Sequence, residues 1–315
     1  MNKLILRAAA TAAASLLCLL LSSCDHRELC YDHEHWIDLQ VAFDWSEEPA
    51  ADPATMVVWF FPADTETEGG PRSYEFGGNR GGTIRIPAGK YRAVCFNGGT
   101  ETLLERGSAF DNLHLTTESQ NLLEPMHRSM ANAPRPEPGK DQDVKGAPET
   151  LWSSTLDVLE FFPATAGQKV TFTPTQSTTR VHVVITGVEN LTSDIALSAA
   201  MTGVSESWLV SAQRGHGKDV TMPVAISATG EDTIEGEFNI FGHCHASELT
   251  HILTVYTSNK YYFNFDVTDI MHESTSSRNI EIHLHGLRLP HPDGTGMSPS
   301  ITDWGDGERI DIDML

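Results

Sequence analysis

From Trp36 onward the sequence is a series of short runs in which apolar and polar residues alternate, divided by Gly, Pro, Asn and Asp residues. The first run is the clearest, because every second residue from Ile37 to Trp45 is large and apolar and so falls on one face of an extended chain. Such a strand buries one face and leaves the other in water. Helical periodicity is almost absent. The sequence therefore predicts an all-β protein built as a sandwich.

Other segments of the first half are also typical of strands. Residues 56–61 are continuously apolar, and residues 169–173 alternate. Residues 82–86 and 91–96 flank the turn Pro87-Ala88-Gly89-Lys90, so we expect them to form a hairpin. Residues 134–148 are rich in Pro, Gly and charged residues and predict a long exposed loop.

The second half repeats the strand order of the first half, although the two halves share negligible identity. Residues 179–186 correspond to the first strand, and residues 195–201 correspond to the 56–61 strand. A hairpin region begins at residues 234–240 and continues to residue 267, with a turn at Asn259-Lys260. The length allows two domains, at roughly 100 to 200 residues each. We place them at residues 36–163 and 164–315.

The start of the chain has the organisation of a signal peptide. Lys3 and Arg7 precede the uncharged residues 8–21, which would span roughly 21 Å as a helix, less than the ~30 Å hydrocarbon core of a bilayer. The run ends at Leu21-Ser22-Ser23-Cys24, which resembles the bacterial lipobox. That resemblance implies cleavage between Ser23 and Cys24.

Lipobox processing would remove residues 1–23 and leave residues 24–35 as a lipidated tether. Cys24 would carry diacylglycerol and an N-acyl chain, and the sequence predicts no other cofactor. Two or three acyl chains hold a protein on a membrane almost permanently.

The charge of the chain excludes one class of partner. There are 43 acidic and 21 basic residues, and loss of Lys3 and Arg7 with the leader changes the formal charge from −22 to −24. Nucleic acid is an unfavourable partner for such a surface. Anionic lipids of the membrane also repel this surface, so the acyl chains on Cys24 alone would hold the protein on the membrane.

Three cysteines remain once Cys18 leaves with the leader and Cys24 is acylated. They are Cys30, Cys95 and Cys244, and an odd number cannot all pair. Two alternatives remain open: two of these cysteines form a disulfide bond, or the cysteines are buried free thiols.

The last strand predicted from the sequence is residues 308–315, which alternate up to the final residue. Ile310, Ile312 and Met314 share one of its faces. The strand either pairs within its own sheet or is offered to another subunit, because an edge with unpaired backbone groups is a template for strand addition.

Histidines occur in three groups, and imidazoles are good ligands for zinc or copper. The favoured candidates are His26, Cys30, His33 and His35. A second group contains His243, Cys244, His245 and His251, and a third contains His283, His285 and His291. Alternation places His243 with His245, and His283 with His285, on one face. Polar positions on the solvated side of a sheet account for these residues better, so no metal site is predicted.

Motifs of enzymes are missing. The sequence has no Gly-x-Ser-x-Gly elbow, no His-Glu-x-x-His pair and no Walker-type loop. The prediction is a protein that is not an enzyme. Glycan binding is the alternative to protein binding, because Trp152, Trp208 and Trp304 fall in or near loops, although packing in the core or at an edge explains them better.

Several motifs together point to a known family. They are the lipobox with residues 24–33, Val41-Ala42-Phe43-Asp44-Trp45, Pro87-Ala88-Gly89-Lys90-Tyr91, Phe241-Gly242-His243, residues 261–268, and Pro299-Ser300-Ile301-Thr302-Asp303-Trp304. The chain resembles a family of Bacteroides-type outer-membrane lipoproteins related to the FimB-like, fimbrillin-associated anchor and accessory subunits of the type V pili of Bacteroidetes.

The resemblance implies two tandem transthyretin-like β-sandwich domains. It also implies a lipid-anchored outer-membrane location at the cell surface, and fimbrillin or other pilus subunits as partners. The expected role is to attach or cap a fimbrium.

Overall fold

The structure, a computed structural model, describes residues 35–67, 69–128, 133–163, 167–243, 249–276 and 278–290. Nearly all regular structure in these ranges is β, which confirms the predicted class. The strands of the first half are β1 (Trp36–Phe43), β2 (Thr55–Pro62), β3 (Arg72–Gly77), β4 (Gly82–Pro87), β5 (Gly89–Gly98), β6 (Leu104–Arg106), β7 (His114–Thr116), β8 (Trp152–Phe161), β9 (Gln168–Phe172) and β10 (Thr175–Gln176).

The second half has the same character. Its strands are β11 (Thr179–Glu189), β12 (Leu197–Leu209), β13 (Arg214–Val224), β14 (Ser227–Ala228), β15 (Ile234–Ile240), β16 (Ile252–Thr257), β17 (Tyr262–Asp266) and β18 (Asn279–Arg288). Helical structure in the described ranges is short. It consists of two 3₁₀ helices, Glu124–Met126 and Glu137–Gly139, and the helix α1 (Thr268–Glu273).

The first sandwich packs a three-stranded sheet, in the order β4-β1-β9, against a five-stranded sheet, in the order β10-β8-β5-β2-β3. β1 pairs antiparallel with β4 and parallel with β9. Its alternation decides the buried face, since Leu39 and Val41 are buried while Asp38 and Gln40 are exposed. Both sheets contribute to one hydrophobic core, which includes Leu39, Met56, Phe60, Tyr91 and Phe172.

The second sandwich packs the sheet β14-β15-β11-β18 against a larger sheet in the order β17-β16-β12-β7-β6, with β13 on the other side of β12. β11 pairs antiparallel with β15 and parallel with β18, as β1 does with β4 and β9. β12 lies between β13 and β16, as β2 lies between β3 and β5. The repeated strand order predicted from the sequence is therefore present in the structure.

Some strands on each side of the predicted domain boundary at residue 163 belong to the sandwich on the other side of it. β9 follows that boundary but completes the first sandwich beside β1. β6 and β7 precede it but extend the second sandwich, where Leu115 pairs with Trp208 of β12. The long strand β12 runs past the end of β16 and offers β7 its unpaired backbone groups. The domain ranges remain a prediction. Along the sequence, the buried core residues of the first sandwich end at Phe172, and those of the second sandwich begin at Val181.

The predicted hairpin of residues 82–86 with residues 91–96 is wrong, because β4 and β5 lie in different sheets. β4 ends at Pro87 and β5 begins at Gly89, so only Ala88 separates them. One residue is shorter than the two-residue turns that close antiparallel hairpins, and the chain crosses between sheets instead. The predicted hairpin of β16 and β17 is present, with Lys260 in its turn at a φ of 69°.

A third hydrophobic cluster joins the outer face of β2 and β5 to the second half. Its buried members are Phe61, Val94, Phe96, Leu113, Leu115, Leu151, Val210 and Phe241. β2 is continuously apolar because Met56 and Phe60 face the first core while Phe61 belongs to this cluster.

Residues 134–148 are less exposed than their composition predicts. Val144 is buried and forms an isolated bridge with Thr221 of β13, and the Tyr256 hydroxyl donates a hydrogen bond of 2.7 Å to the Pro134 carbonyl. Val144 and the hydrogen bond from Tyr256 hold the segment against the second sandwich. Val144 belongs to a hydrophobic cluster whose other buried members lie outside the segment, namely Leu122, Leu123, Met126, Ala200 and Tyr256.

Candidate functional site

Three histidines from separate segments of the second sandwich converge beside the middle of β12. His243 follows β15, His251 immediately precedes β16, and His272 lies in α1. Their candidate ligand atoms all lie within 4.8 Å of one another, and no other group of this kind occurs among the residues that the structure describes. His251 is fully buried, whereas His243 and His272 are half-buried.

The His251 ring is held at both nitrogens. Nδ1 lies 3.2 Å from the carbonyl oxygen of Thr202, and because a carbonyl only accepts, Nδ1 carries a proton. In the neutral ring Nε2 then presents its lone pair, and it lies 3.2 Å from Nε2 of His272. The two rings are perpendicular at a centroid distance of 5.0 Å, while the His243 ring lies parallel to that of His272 at 5.9 Å.

β12 bulges where it passes this cluster. Its pairing with β13 shifts between Met201 and Val204, and Gly203 between them has a φ of +77°. A Cβ atom at Gly203 would lie 2.8 Å from Nδ1 of His251, so glycine is required both for the backbone conformation and for the close approach of the ring. Val204 forms a bridge with His243, which brings the second histidine to the same place.

Hydrogen bonds also hold the backbone beneath the cluster. The Thr202 hydroxyl accepts the Ile252 N–H at 2.9 Å, and the Thr268 hydroxyl oxygen accepts the His251 N–H at 2.9 Å. Thr268 in turn donates its N–H and its hydroxyl to Oδ1 of Asp266, at 3.0 and 2.5 Å. The start of α1 is therefore tied to the start of β16.

The sequence identified part of this cluster. His243 and His251 belong to one predicted group, but His272 belongs to none, because no strand spacing connects it with the others. The signal that could have identified His272 was the register of the β16–β17 hairpin, in which Ile252 pairs with Asp266. That register places His251 beside Val267, the residue immediately before α1.

The other predicted ligands are not part of the cluster. His35 is exposed just before β1. His283 and His285 are exposed on the same face of β18, and Nδ1 of His285 lies 3.0 Å from the Thr186 hydroxyl. The remaining candidates lie outside the described residues: His26, Cys30, His33, Cys244, His245 and His291.

β18 is an edge strand of the sheet β14-β15-β11-β18. The Arg278 carbonyl accepts the Arg180 N–H at 2.8 Å, so every second peptide group from there faces β11. The backbone N–H and C=O groups of Glu281 and His283 alternate with these and therefore point away from β11. No strand in the described part of the chain pairs with that side. The predicted terminal strand with Ile310, Ile312 and Met314 lies outside the described residues.

The tryptophans of the predicted glycan platform are engaged in packing. The ring of Trp152 lies edge-on to Trp45 at 6.4 Å, and Nε1 of Trp208 donates a hydrogen bond of 3.2 Å to the Ser153 hydroxyl. Both side chains are half-buried, and Trp304 lies outside the described residues. Trp152 and Trp208 therefore form no open stacking surface.

Cys95 is the remaining cysteine that falls in the described ranges, where it is a free thiol buried in the first core. Burial raises the pKa of the Cys95 thiol, which makes it a poor nucleophile. The leader, Ser23 and Cys24 lie outside the described residues. Among the helices that are described, none combines the length and the hydropathy needed to cross a bilayer.

A family model connects the chain with known sequences. The model of a domain of unknown function, DUF5119, matches residues 23–225. No curated protein matches the sequence.

Several solved structures from Bacteroides have a similar fold. A candidate adhesin from Bacteroides ovatus has a TM-score of 0.61 at 16% identity, with 85% of this chain and 98% of that chain covered. A candidate polysaccharide-binding protein of the DUF1812 group from Bacteroides thetaiotaomicron has a TM-score of 0.51 at 12% identity, with 81% and 92% covered. A second candidate adhesin from Bacteroides ovatus has a TM-score of 0.51 at 11% identity, with 80% and 87% covered. This likeness confirms the predicted all-β sandwich fold.

Proposed function

The chain belongs to the DUF5119 family, and we propose that it is a non-enzymatic, lipid-anchored outer-membrane protein that serves as an anchor or accessory subunit of a fimbrium. The lipobox at Cys24, the FimB-like sequence motifs and the fold shared with candidate adhesins support this proposal. Its partners are fimbrillin or other pilus subunits, which it contacts through strand edges at the cell surface.

The edge of β18 with which no strand in the described ranges pairs is the observation that carries this proposal. The strand is ten residues long, and Ile280, Ile282 and Leu284 anchor it in the core while its outward face carries Glu281 and His283. An added strand would hydrogen-bond to the peptide groups of those two outward residues. Edge strands of this length are normally protected, and β18 contains neither proline nor lysine.

Two variants test the strand contact by co-purification with fimbrillin from detergent-solubilised membranes. His283→Pro removes an outward N–H but leaves the bonds to β11, and His283→Ala is the matched control that keeps that N–H. We expect the proline variant to capture at least about 10-fold less fimbrillin, because a lost hydrogen bond and a steric clash together weaken strand addition. Deletion of residues 310–315 tests donation of the terminal strand.

The pattern of losses identifies the mode of contact. Loss of capture only in the proline variant supports acceptance of a strand by β18, and loss only in the deletion variant supports donation of the terminal strand. Capture at the native level by both variants would overturn strand-mediated contact. Circular dichroism spectra of both variants must match that of the native chain.

Lipid anchoring needs its own test. The native protein should partition into the detergent phase and incorporate a labelled fatty acid, while Cys24→Ala should do neither. Native partitioning by the Cys24→Ala variant would contradict the assignment of this residue as the lipidation site.

Glycan binding is the second candidate function, because one relative of similar fold is described as a candidate polysaccharide-binding protein. The packed positions of Trp152 and Trp208 do not favour it. Saturable binding to one polysaccharide on an array, lost in Trp304→Ala, would place glycan binding ahead of the fimbrial role.

A further inference from the structure

We propose that His243, His251 and His272 bind a zinc ion that fastens α1 and the segment after β15 to the start of β16. This site is separate from the edge of β18, and it does not depend on the proposed fimbrial role.

The distance between the first two ligand atoms fits a tetrahedral ion. Zinc binds histidine nitrogens at about 2.0–2.1 Å, so two nitrogens of one tetrahedral site lie about 3.3 Å apart. Nε2 of His251 and Nε2 of His272 are separated by 3.2 Å. The candidate ligand atom of His243 is within 4.8 Å of both, a gap that a small rotation of its half-buried ring would close.

The orientation of His251 is that of a metal ligand. Its Nδ1–H donates to the Thr202 carbonyl, which directs the lone pair of Nε2 toward the other two histidines. Metal-bound histidines almost always donate their second nitrogen to a carbonyl, a carboxylate or water. Gly203 allows this hydrogen bond, because any side chain there would occupy the place of the ring.

The framework around the site is rigid. His251 is fully buried, its backbone N–H is held by Thr268, and Asp266 fixes Thr268 at the start of α1. His243 is held through its bridge to Val204. Rigid supports keep ligands in place before the ion arrives, which reduces the cost of ordering them.

The donor set selects the kind of metal. Three imidazoles suit zinc, copper and nickel, and exclude calcium and magnesium, which take oxygen ligands. Among the metals that suit imidazole, zinc accepts tetrahedral geometry without redox chemistry. In the metal-free protein His272 would instead donate a hydrogen bond to His251, and the experiment separates these two states.

Zinc binding is measured on the full chain in detergent, after removal of metal with a chelator, by titration calorimetry and by metal analysis. We expect one zinc ion at this cluster. Zinc at about 100 times its dissociation constant should raise Tm by about 5 °C or more. Cobalt in place of zinc should give the visible absorption of a tetrahedral complex.

The variants His272→Gln and His243→Gln each remove one ligand from a half-buried position. Changes to outer-shell partners already weaken zinc 10- to 100-fold, so loss of a ligand should weaken it by about 100-fold or more. His283→Gln on β18 and His33→Gln near the N-terminus are the controls, and both should bind zinc at this cluster with native affinity.

Three results would overturn the proposal. The first is that the native chain shows no saturable zinc binding at micromolar concentrations. The second is that both ligand variants bind zinc as tightly as the native chain. The third is that binding is lost in His33→Gln, which would locate the ion in the N-terminal group. The metal-free variants are compared with the native chain by circular dichroism, so that misfolding is not mistaken for ligand loss.

Discussion

The Arg278 guanidinium lies 2.7 Å from the Glu48 carboxylate and joins the segment before β18 to the loop after β1. The same carboxylate accepts the Gln176 N–H at 3.1 Å, and the Glu48 side chain is only 14% exposed. Glu48 therefore connects residues of both sandwiches through charge-assisted hydrogen bonds, which are stronger than those between neutral groups.

Replacement of Glu48 by Ala should lower the free energy of unfolding by about 1–2 kcal/mol, because Gln176 and Arg278 both lose their acceptor. Urea unfolding at pH 7 measures the change. Lys140→Ala is the control, since the Lys140–Glu137 pair is 63% and 85% exposed and should contribute less than about 0.5 kcal/mol. Equal losses in the two variants would contradict a connecting role for Glu48.

Gly203→Ala should destabilise the chain more than Gly286→Ala. Both glycines have positive φ angles, +77° and +82°, so both variants incur about 1–2 kcal/mol of backbone strain. A Cβ at Gly286 meets no atom within 4 Å, whereas a Cβ at Gly203 meets His251 at 2.8 Å, which adds about 1–3 kcal/mol of overpacking. Thermal unfolding in the presence of a chelator measures the difference, and equal effects would refute the close approach.

The Cys95 thiol should resist alkylation in the native protein. Burial raises its pKa, so the reactive thiolate is scarce at neutral pH, and the reagent has no access to the core. Peptide mass spectrometry after iodoacetamide treatment should find Cys95 unmodified, and urea should expose it to complete labelling. Native-state labelling as fast as in urea would contradict its buried position.

Asp64 should contribute stability at neutral pH that disappears in acid. The Thr67 hydroxyl, at 2.8 Å, and the backbone N–H groups of Thr67 and Glu66 hold the pKa of Asp64 below its ordinary value of 3.8. A depressed folded pKa means that the stabilisation is complete above the unfolded pKa and is lost as pH falls through the folded pKa.

The Asp64→Asn variant tests this sign. Its Tm should lie below that of the native chain at pH 7, and the two values should converge at strongly acidic pH. Molar salt should change the difference little, because hydrogen bonds lower this pKa more than the charge of Lys90 does. A constant difference at every pH would contradict the prediction.

Local patterns in the sequence were enough to predict several of the strands and, in the first of them, the buried face. The alternation of β1 identified Leu39 and Val41 as core residues, and the turn at Asn259-Lys260 predicted the hairpin of β16 with β17. In these cases the deciding forces act between near neighbours, through side-chain burial and turn conformation.

The choice of strand partners was not predictable in this way. β4 and β5 are adjacent in sequence but pair with β1 and β2, and β7 pairs with β12 in the other sandwich. These pairings depend on which edges remain open once the sheets have formed. The same applies to His272, whose neighbours are determined by the path of α1 after β17.

The parallel pairs β1–β9 and β11–β18 also determine the order in which the molecule can fold. Each joins the first strand of a sandwich's smaller sheet to the last strand that the structure describes in that same sheet, at Gln168–Phe172 and Asn279–Arg288. Such long-range closures are slow, and they leave strand edges exposed in the meantime. A growing chain therefore cannot close its first sandwich before residue 172 is made, or its second before residue 288.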